Sequence, residues 1–293
     1  MKIIVTGSLG NVARPLVQQL VSEGHELTVI SSHADRKPEI ENLGARAAIG
    51  SISDVPFLTE TFRGADSAFL MTPPMLGTQN IIENTINTGK SYAEAISAAH
   101  VPRIVMLSSV GADSPVENGP IAGLHHIENT YRELNASAAF LRAGYFYINL
   151  FNDIPMIKNA GIIGGNYPAD VKIPLVHPTD IAKAAAEELV RNSPDKAVRY
   201  IVSDYREAGD FATVLGSSIG TPSLPWIEFT DKEAFDGMLQ AGLPEEMAKL
   251  YEEMGRGIRN GVVQKDFIQY GAPVSGGIRL EDFAREFAER FNK

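Results

Sequence analysis

Along the first half of the chain, short apolar runs alternate with longer stretches whose apolar positions recur at helical spacing. The runs fall at residues 2–6, 26–31, 45–49, 67–72, 102–107 and 138–142. Ile3, Ile4 and Val5 are β-branched and uninterrupted by polar residues, the pattern of a strand buried on both faces, whereas Val12, Leu16 and Leu20 repeat every four residues along one helical face. Most runs are far enough apart for a crossover helix, and right-handed crossovers then build a doubly wound α/β fold around a parallel sheet. Past residue 143 the rhythm changes to aromatic and Gly/Pro-rich stretches, among them Tyr145-Phe146-Tyr147, Gly164-Gly165 and Pro174. A helix is predicted over 178–189, a strand returning to the sheet at 199–202, and helical segments over 231–260 and 280–291. The apolar stripes of those last segments, such as Phe283 and Phe287, read as packing surfaces.

The first strand runs directly into Gly7-Ser8-Leu9-Gly10-Asn11-Val12 and then a helix start. One glycine lets the chain turn tightly, a second lets the backbone approach a phosphate, and the helix offers free N–H groups at its positive dipole end. The spacing is Gly-x-x-Gly-x-x-Ala rather than Gly-x-Gly-x-x-Gly, so its meaning comes from the strand before it and the helix after it. Pro15 falls in the first helical turn, where its missing N–H is not needed. Residues 7–12 are therefore expected to hold the pyrophosphate of a dinucleotide. The expected organisation is a dinucleotide-binding domain over 1–150, with a return to the sheet near 175–205, and a smaller, partly helical substrate or lid domain over 151–293. In such sheets ligands bind at the carboxyl ends of the strands, which points to Ser31–Lys37, Ser51–Asp54, Thr72–Pro74 and Ser108–Gly111.

At 293 residues and 44% hydrophobic content the chain is long enough for one large α/β domain with a smaller appendage. A net charge of −10 leaves no broad basic face to neutralise a nucleic acid or an anionic membrane. The absence of cysteine excludes disulfides, thiolate metal sites and thiol nucleophiles, and fits a reducing compartment. No apolar stretch approaches the roughly 20 residues that span a bilayer. The strand starting at residue 2 leaves no room for a cleavable signal, so a cytoplasmic protein with a small-molecule partner is expected.

Several stretches together resemble the NmrA-like group of atypical short-chain dehydrogenase/reductases, which includes quinone reductases and non-enzymatic cofactor sensors. They are Ile4-Val5-Thr6-Gly7-Ser8-Leu9-Gly10, Ile104-Val105-Met106-Leu107-Ser108-Ser109, His126-Ile127-Glu128, Phe140-Leu141-Arg142-Ala143-Gly144-Tyr145-Phe146 and His177-Pro178-Thr179-Asp180-Ile181-Ala182. The resemblance implies a dinucleotide-binding domain followed by a small, partly helical domain closing over the nicotinamide. It also implies that Ser51, Ile52 and Ser53 flank the adenine and that Thr72 and Pro73 line the middle of the cofactor. Many members carry Arg after the second strand; here Ser32 stands at that place and Arg36 follows.

An NAD-selective site usually ends its second strand with a carboxylate that repels a 2′-phosphate. Here Ser31 and Ser32 follow instead, with Arg36 and Lys37 beyond them and Asp35 offsetting part of their charge, which favours NADP while leaving NAD open. Ordinary short-chain dehydrogenases pair a Tyr with a Lys four residues later, and that pair is missing. His126, or His125, occupies the approximate place of the lysine and is a candidate contact to the nicotinamide ribose. Adjacent on one helix, the two histidines point apart, and no metal site is expected. Ser108 is a candidate contact to cofactor or substrate; it lacks the flanking glycines of a nucleophile elbow. Tyr145, Phe146, Tyr147 and Asn149 are candidates for the wall of an acceptor site. Hydride transfer to an electron-poor acceptor such as a quinone relies mainly on orientation, so an NAD(P)H-dependent reductase is the first expectation. A non-enzymatic NADP(H) sensor stands beside it, as does an enzyme on another substrate with Tyr145 as proton donor.

Overall fold

The computed structural model describes residues 1–73, 79–191 and 195–293; Pro74, at the end of one expected ligand loop, lies outside them. In chain order the elements begin β1 (Lys2–Val5), α1 (Ala13–Ser22), β2 (Glu26–Ser31), α2 (Lys37–Asn42), β3 (Arg46–Ile49), α3 (Val55–Phe62), β4 (Ser67–Leu70) and α4 (Ile81–Ala99). They continue with β5 (Arg103–Ser109), α5 (Ile121–Arg132), β6 (Ser137–Ala143), β7 (Tyr145–Phe146), α6 (Ile154–Ala160), β8 (Ile163–Gly165), β9 (Lys172–Val176), α7 (Pro178–Val190) and β10 (Lys196–Ile201). The last are β11 (Asp204–Glu207), α8 (Ala208–Ser218), β12 (Trp226–Glu228), α9 (Asp231–Gln240), α10 (Glu245–Arg259), α11 (Lys265–Gln269) and α12 (Leu280–Phe291). Among the described residues no helix is long and apolar enough to cross a membrane.

The chain divides into two compact units that interleave in sequence. The first is Met1–Ser108, Gly123–Arg142 and Ile181–Arg199; the second is Ser109–Ala122, Ala143–Asp180 and Tyr200–Lys293.

The first unit is built on the parallel sheet, in the order β10-β6-β5-β4-β1-β2-β3. β1 lies between β2 and β4, pairing in parallel with both, and its Ile3 and Val5 are fully buried, as its unbroken apolar run predicts. The sheet order reverses between β1 and β4, so the turn after β1 opens at a topological switch point, where ligands of such sheets bind. Leu58, Phe62, Tyr92, Ile96, Tyr131 and Phe140 fill the core on one side. There α4 and α5 come unusually close: a Cβ on Gly89 would lie 2.5 Å from a side-chain carbon of Ile127.

The second unit carries two small sheets, β11-β9-β7 and β12-β8. β9 pairs antiparallel with β11 and parallel with β7. Tyr147 stacks on Phe283 at 5.2 Å between ring centroids and Phe151 on Phe287 at 6.0 Å, fixing α12 by the aromatic stripe the sequence displays. The helical stretch expected over 231–260 is realised as two helices, α9 and α10, because Gly242 takes a positive φ of 87° and Pro244 cannot extend a helix backward. Arg259 near the end of α10 returns to Asp231 at the start of α9 through two hydrogen bonds of 2.8 and 3.0 Å, holding that carboxyl down at a pKa of about 2.

Candidate functional site

The turn between β1 and α1 is shaped by one glycine. Gly7 has φ +93°, a conformation that side chains disfavour, and a Cβ there would lie 2.1 Å from Met71 Cε. Gly10 is different: its φ is not positive and the nearest atom to an added Cβ is 3.5 Å away, an ordinary contact, so its value lies in leaving room for a ligand. Thr6 Oγ1 accepts from the Met71 amide at 2.8 Å, tying the turn to the end of β4. The amide of Ser8 bonds Ile30 O and that of Gly10 bonds Gly7 O, whereas the amides of Leu9, Asn11 and Val12 have no protein acceptor among the described residues. α1 has no side-chain cap and no acid in its first turn. Free amides at an uncapped helix start are what an anionic diphosphate requires.

At the end of β2 the serine pair divides. Ser31 is buried; its hydroxyl accepts from Ser8 Oγ at 3.1 Å and donates to His33 O, so it braces the turn, while Ser32 is exposed. Beside them Arg14 of α1 and Arg36 converge on Glu39, one oxygen each, the Arg36 bond measuring 2.9 Å. The two guanidinium groups hold the Glu39 carboxyl below the usual carboxylate range. Arg14 and Glu39 were not among the expected site residues. Arg14 precedes Pro15 in the first helical turn, and only the fold brings it beside Arg36.

Ser51 and Ser53 are exposed and hydrogen-bonded to each other at 2.8 Å, with Ile52 half-buried between them; Thr72 and Pro73 are half-buried beyond β4. Ser108, at the end of β5, is buried and donates to Glu128 Oε1 at 2.6 Å. Glu128 also receives Arg142 Nε at 3.0 Å, Arg142 Nη2 at 2.8 Å and Arg132 Nη2 at 3.2 Å. The Ser108 hydroxyl is thus oriented by a buried ion-pair network. On α5, His126 is exposed, while His125 is half-buried with Nε2 3.0 Å from Asn129 Nδ2.

In the second unit Tyr145 and Phe146 form β7 against Leu175 and Val176, and Asn149 is half-buried in the 3-10 turn over Tyr147–Asp153. Burial, then the negative charge of Asp153, pushes the Tyr145 phenol well above its ordinary pKa, so it stays protonated. Tyr147 is not a wall residue: it is fully buried, and its hydroxyl donates to Ile278 O. Asp180 is structural: it accepts from Ser203 Oγ at 2.6 Å and from the Ile278 amide at 3.1 Å, pinning the segment before α12.

Residues 7–146 match a family described as NAD(P)H-binding. Every cofactor contact expected from the sequence, from Gly7 to His126, lies inside the matched residues. A relative, the NAD(P)H azoreductase of Xenophilus azovorans, is 22% identical over 255 residues, 86% of this chain and 85% of its own. The fold is shared with an NADPH-dependent quinone oxidoreductase from Escherichia coli, solved with NADPH, at TM-score 0.82 and 18% identity, covering 97% of this chain and 99% of that one. It is shared also with a Citrobacter sp. triphenylmethane reductase, solved with NADP(H), at TM-score 0.78 and 19% identity over 98% and 99% of the two chains.

Proposed function

We propose that this chain is an NADPH-dependent reductase of a small, conjugated electrophile such as a quinone. The observation that carries the reading is the set of free amides at Leu9, Asn11 and Val12 beside the converging Arg14 and Arg36. In this reading the turn from Gly7 to Val12 holds the diphosphate, and Arg14, Ser32 and Arg36 take the 2′-phosphate by charge-assisted hydrogen bonds. Ser51 and Ile52 flank the adenine, Thr72 and Pro73 line the middle, and Ser108 and His126 contact the nicotinamide side. Tyr145, Phe146 and Asn149 contribute to the acceptor site. The bound nicotinamide supplies the hydride; the protein's part is to orient and to exclude water. None of the nine tyrosines is followed four residues later by lysine, which argues against tyrosinate chemistry on alcohols or sugars. The azo, quinone and triphenylmethane compounds named for the three similar proteins include conjugated, electron-poor acceptors, the class that needs least acid catalysis.

Following nicotinamide absorbance with pure protein and a panel of quinones and azo dyes tests the reading, with oxidation of NADPH expected. A flat trace across the panel overturns it, and saturable cofactor binding without turnover favours the sensor.

The arginine pair yields a sharper expectation. Arg36→Ala is expected to weaken NADPH about tenfold and leave NADH nearly unchanged, the value of one charge-assisted hydrogen bond. Glu39→Gln is expected to act in the opposite direction, because its carboxylate competes with a 2′-phosphate for both guanidinium groups. Titration calorimetry with each coenzyme reads both effects; equal losses for NADPH and NADH would remove the pair from cofactor choice.

A further inference from the structure

We propose that Ser31 is a positioning residue for coenzyme choice: its buried hydroxyl ties the diphosphate turn to the loop that carries Ser32 and Arg36, and so sets the preference for NADPH over NADH without touching either. This deepens the reductase reading and rests on its NADPH site.

Ser31 ends β2, and the sheet fixes its backbone: it stands opposite Ile49 of β3, and its carbonyl accepts the Gly50 amide at 3.0 Å. From that rigid point the hydroxyl makes three hydrogen bonds, accepting from Ser8 Oγ at 3.1 Å and from the His33 amide at 3.2 Å and donating to His33 O at 3.3 Å. A hydroxyl has one proton and two lone pairs, so this one is fully committed and has nothing left to offer a ligand. The residue is also only 2% exposed. Its influence on a coenzyme therefore passes through its neighbours.

On one side the neighbour is the diphosphate turn. Ser8 has φ +54°, a left-handed conformation that a residue with a side chain keeps only where its surroundings hold it. Two bonds do so: its amide donates to Ile30 O at 3.2 Å and its hydroxyl to Ser31. Both donors of Ser8 are thus spent on β2. Ser8 does not bind the anion; it fixes the backbone from which the amides of Leu9, Asn11 and Val12 project.

On the other side is the loop after β2. His33 O, which takes the Ser31 proton, also accepts the Arg36 amide at 3.2 Å, so one chain of hydrogen bonds runs from Ser8 through Ser31 and His33 to Arg36. A second link crosses the surface from Arg14 through Glu39 to Arg36, but solvent reaches its side chains and it uses the two guanidinium groups that a 2′-phosphate would draw away. The Ser31 link uses none of the groups assigned to the coenzyme, so it stays made when the 2′-phosphate binds. A coenzyme with that phosphate needs turn and arginine at the right separation at once, whereas one without it needs only the turn.

Titration calorimetry on the full chain with NADPH and with NADH tests the assignment. Ser31→Ala is expected to weaken NADPH about tenfold and NADH by no more than about threefold, a shift in preference that lost stability alone does not produce. In an Arg36→Ala background the same substitution is expected to cost both coenzymes alike, because the cation whose place it sets is gone. Ser8→Gly cuts only the branch to the turn, and glycine adopts φ +54° without strain, so equal losses for the two coenzymes are expected. Ser31→Cys keeps the bulk of the side chain but offers only a weak donor; its shift is expected to match that of alanine, so the result does not depend on one variant's folding. Equal losses for NADPH and NADH in Ser31→Ala, with the wild type preferring NADPH, overturn the role of Ser31 and spare the coenzyme site. A preference shift that survives whole in the Arg36→Ala background, or one of equal size in Ser8→Gly, overturns the path through His33. A wild type that prefers NADH or binds neither coenzyme overturns the NADPH reading and this inference with it.

Discussion

Glu128→Ala is expected to destabilise the protein by about 3–5 kcal/mol, the cost of leaving a buried cation without its partner. Glu128 is 2% exposed and Arg142 5%, and four hydrogen bonds from Ser108, Arg132 and Arg142 converge on the one carboxylate. The methyl group of alanine can accept none of them. Arg142 keeps its charge in every accessible pH range, so it cannot escape by deprotonation. For a chain of this size the loss corresponds to a fall in melting temperature on the order of 10 °C, read by thermal or urea denaturation. The paired replacement Glu128→Leu with Arg142→Met should recover most of it, because apolar groups of similar volume need no partner. A single-variant loss below about 1 kcal/mol would mean that the network is solvated and that Ser108 is not held by it.

Gly7→Val is expected to remove cofactor binding. A β-branched residue at φ +93° carries a strain of about 1–3 kcal/mol, and its Cβ would sit 2.1 Å from Met71 Cε. Met71 can move its methyl group, but the backbone strain stays, and relief requires the turn to open and rotate the amides after it. Each 1.4 kcal/mol is tenfold in affinity, so a loss of at least about tenfold for NADPH and NADH alike is expected by calorimetry. Gly10→Ala supplies the contrast. With no positive φ and 3.5 Å to the nearest atom, it should leave the melting temperature nearly unchanged and weaken only the cofactor. Equal affinities for wild type and Gly7→Val would show that the turn does not cradle the diphosphate.

How far the sequence could be followed depended on the range of the interaction. β1, β2, β4, β5 and β6 fall at apolar runs, because an inner strand of such a sheet is covered on both faces wherever it lies in the chain, while the less buried edge strands β3 and β10 coincide with the expected strands at 45–49 and 199–202. β7, β8, β9, β11 and β12 did not stand out: they are short, and Gly164, Gly165 and Pro174 interrupt any alternation. The join at Gly242-Leu243-Pro244 was visible in the residues themselves, yet the apolar periodicity on either side runs across it. Local signals of equal range competed there, and the helix-breaking one prevailed.

The same division holds within the site. The chain by itself determined the strand, glycine turn and helix start that leave the amides of Leu9, Asn11 and Val12 free, because those features arise among near neighbours. Only the tertiary structure decided that Ser31 turns inward while Ser32 stays exposed, that Glu39 draws Arg14 and Arg36 together, and that Glu128 orients Ser108. Charge and hydrogen-bond partnerships of this kind join residues from separate elements, and no periodicity along the chain encodes which two elements will meet.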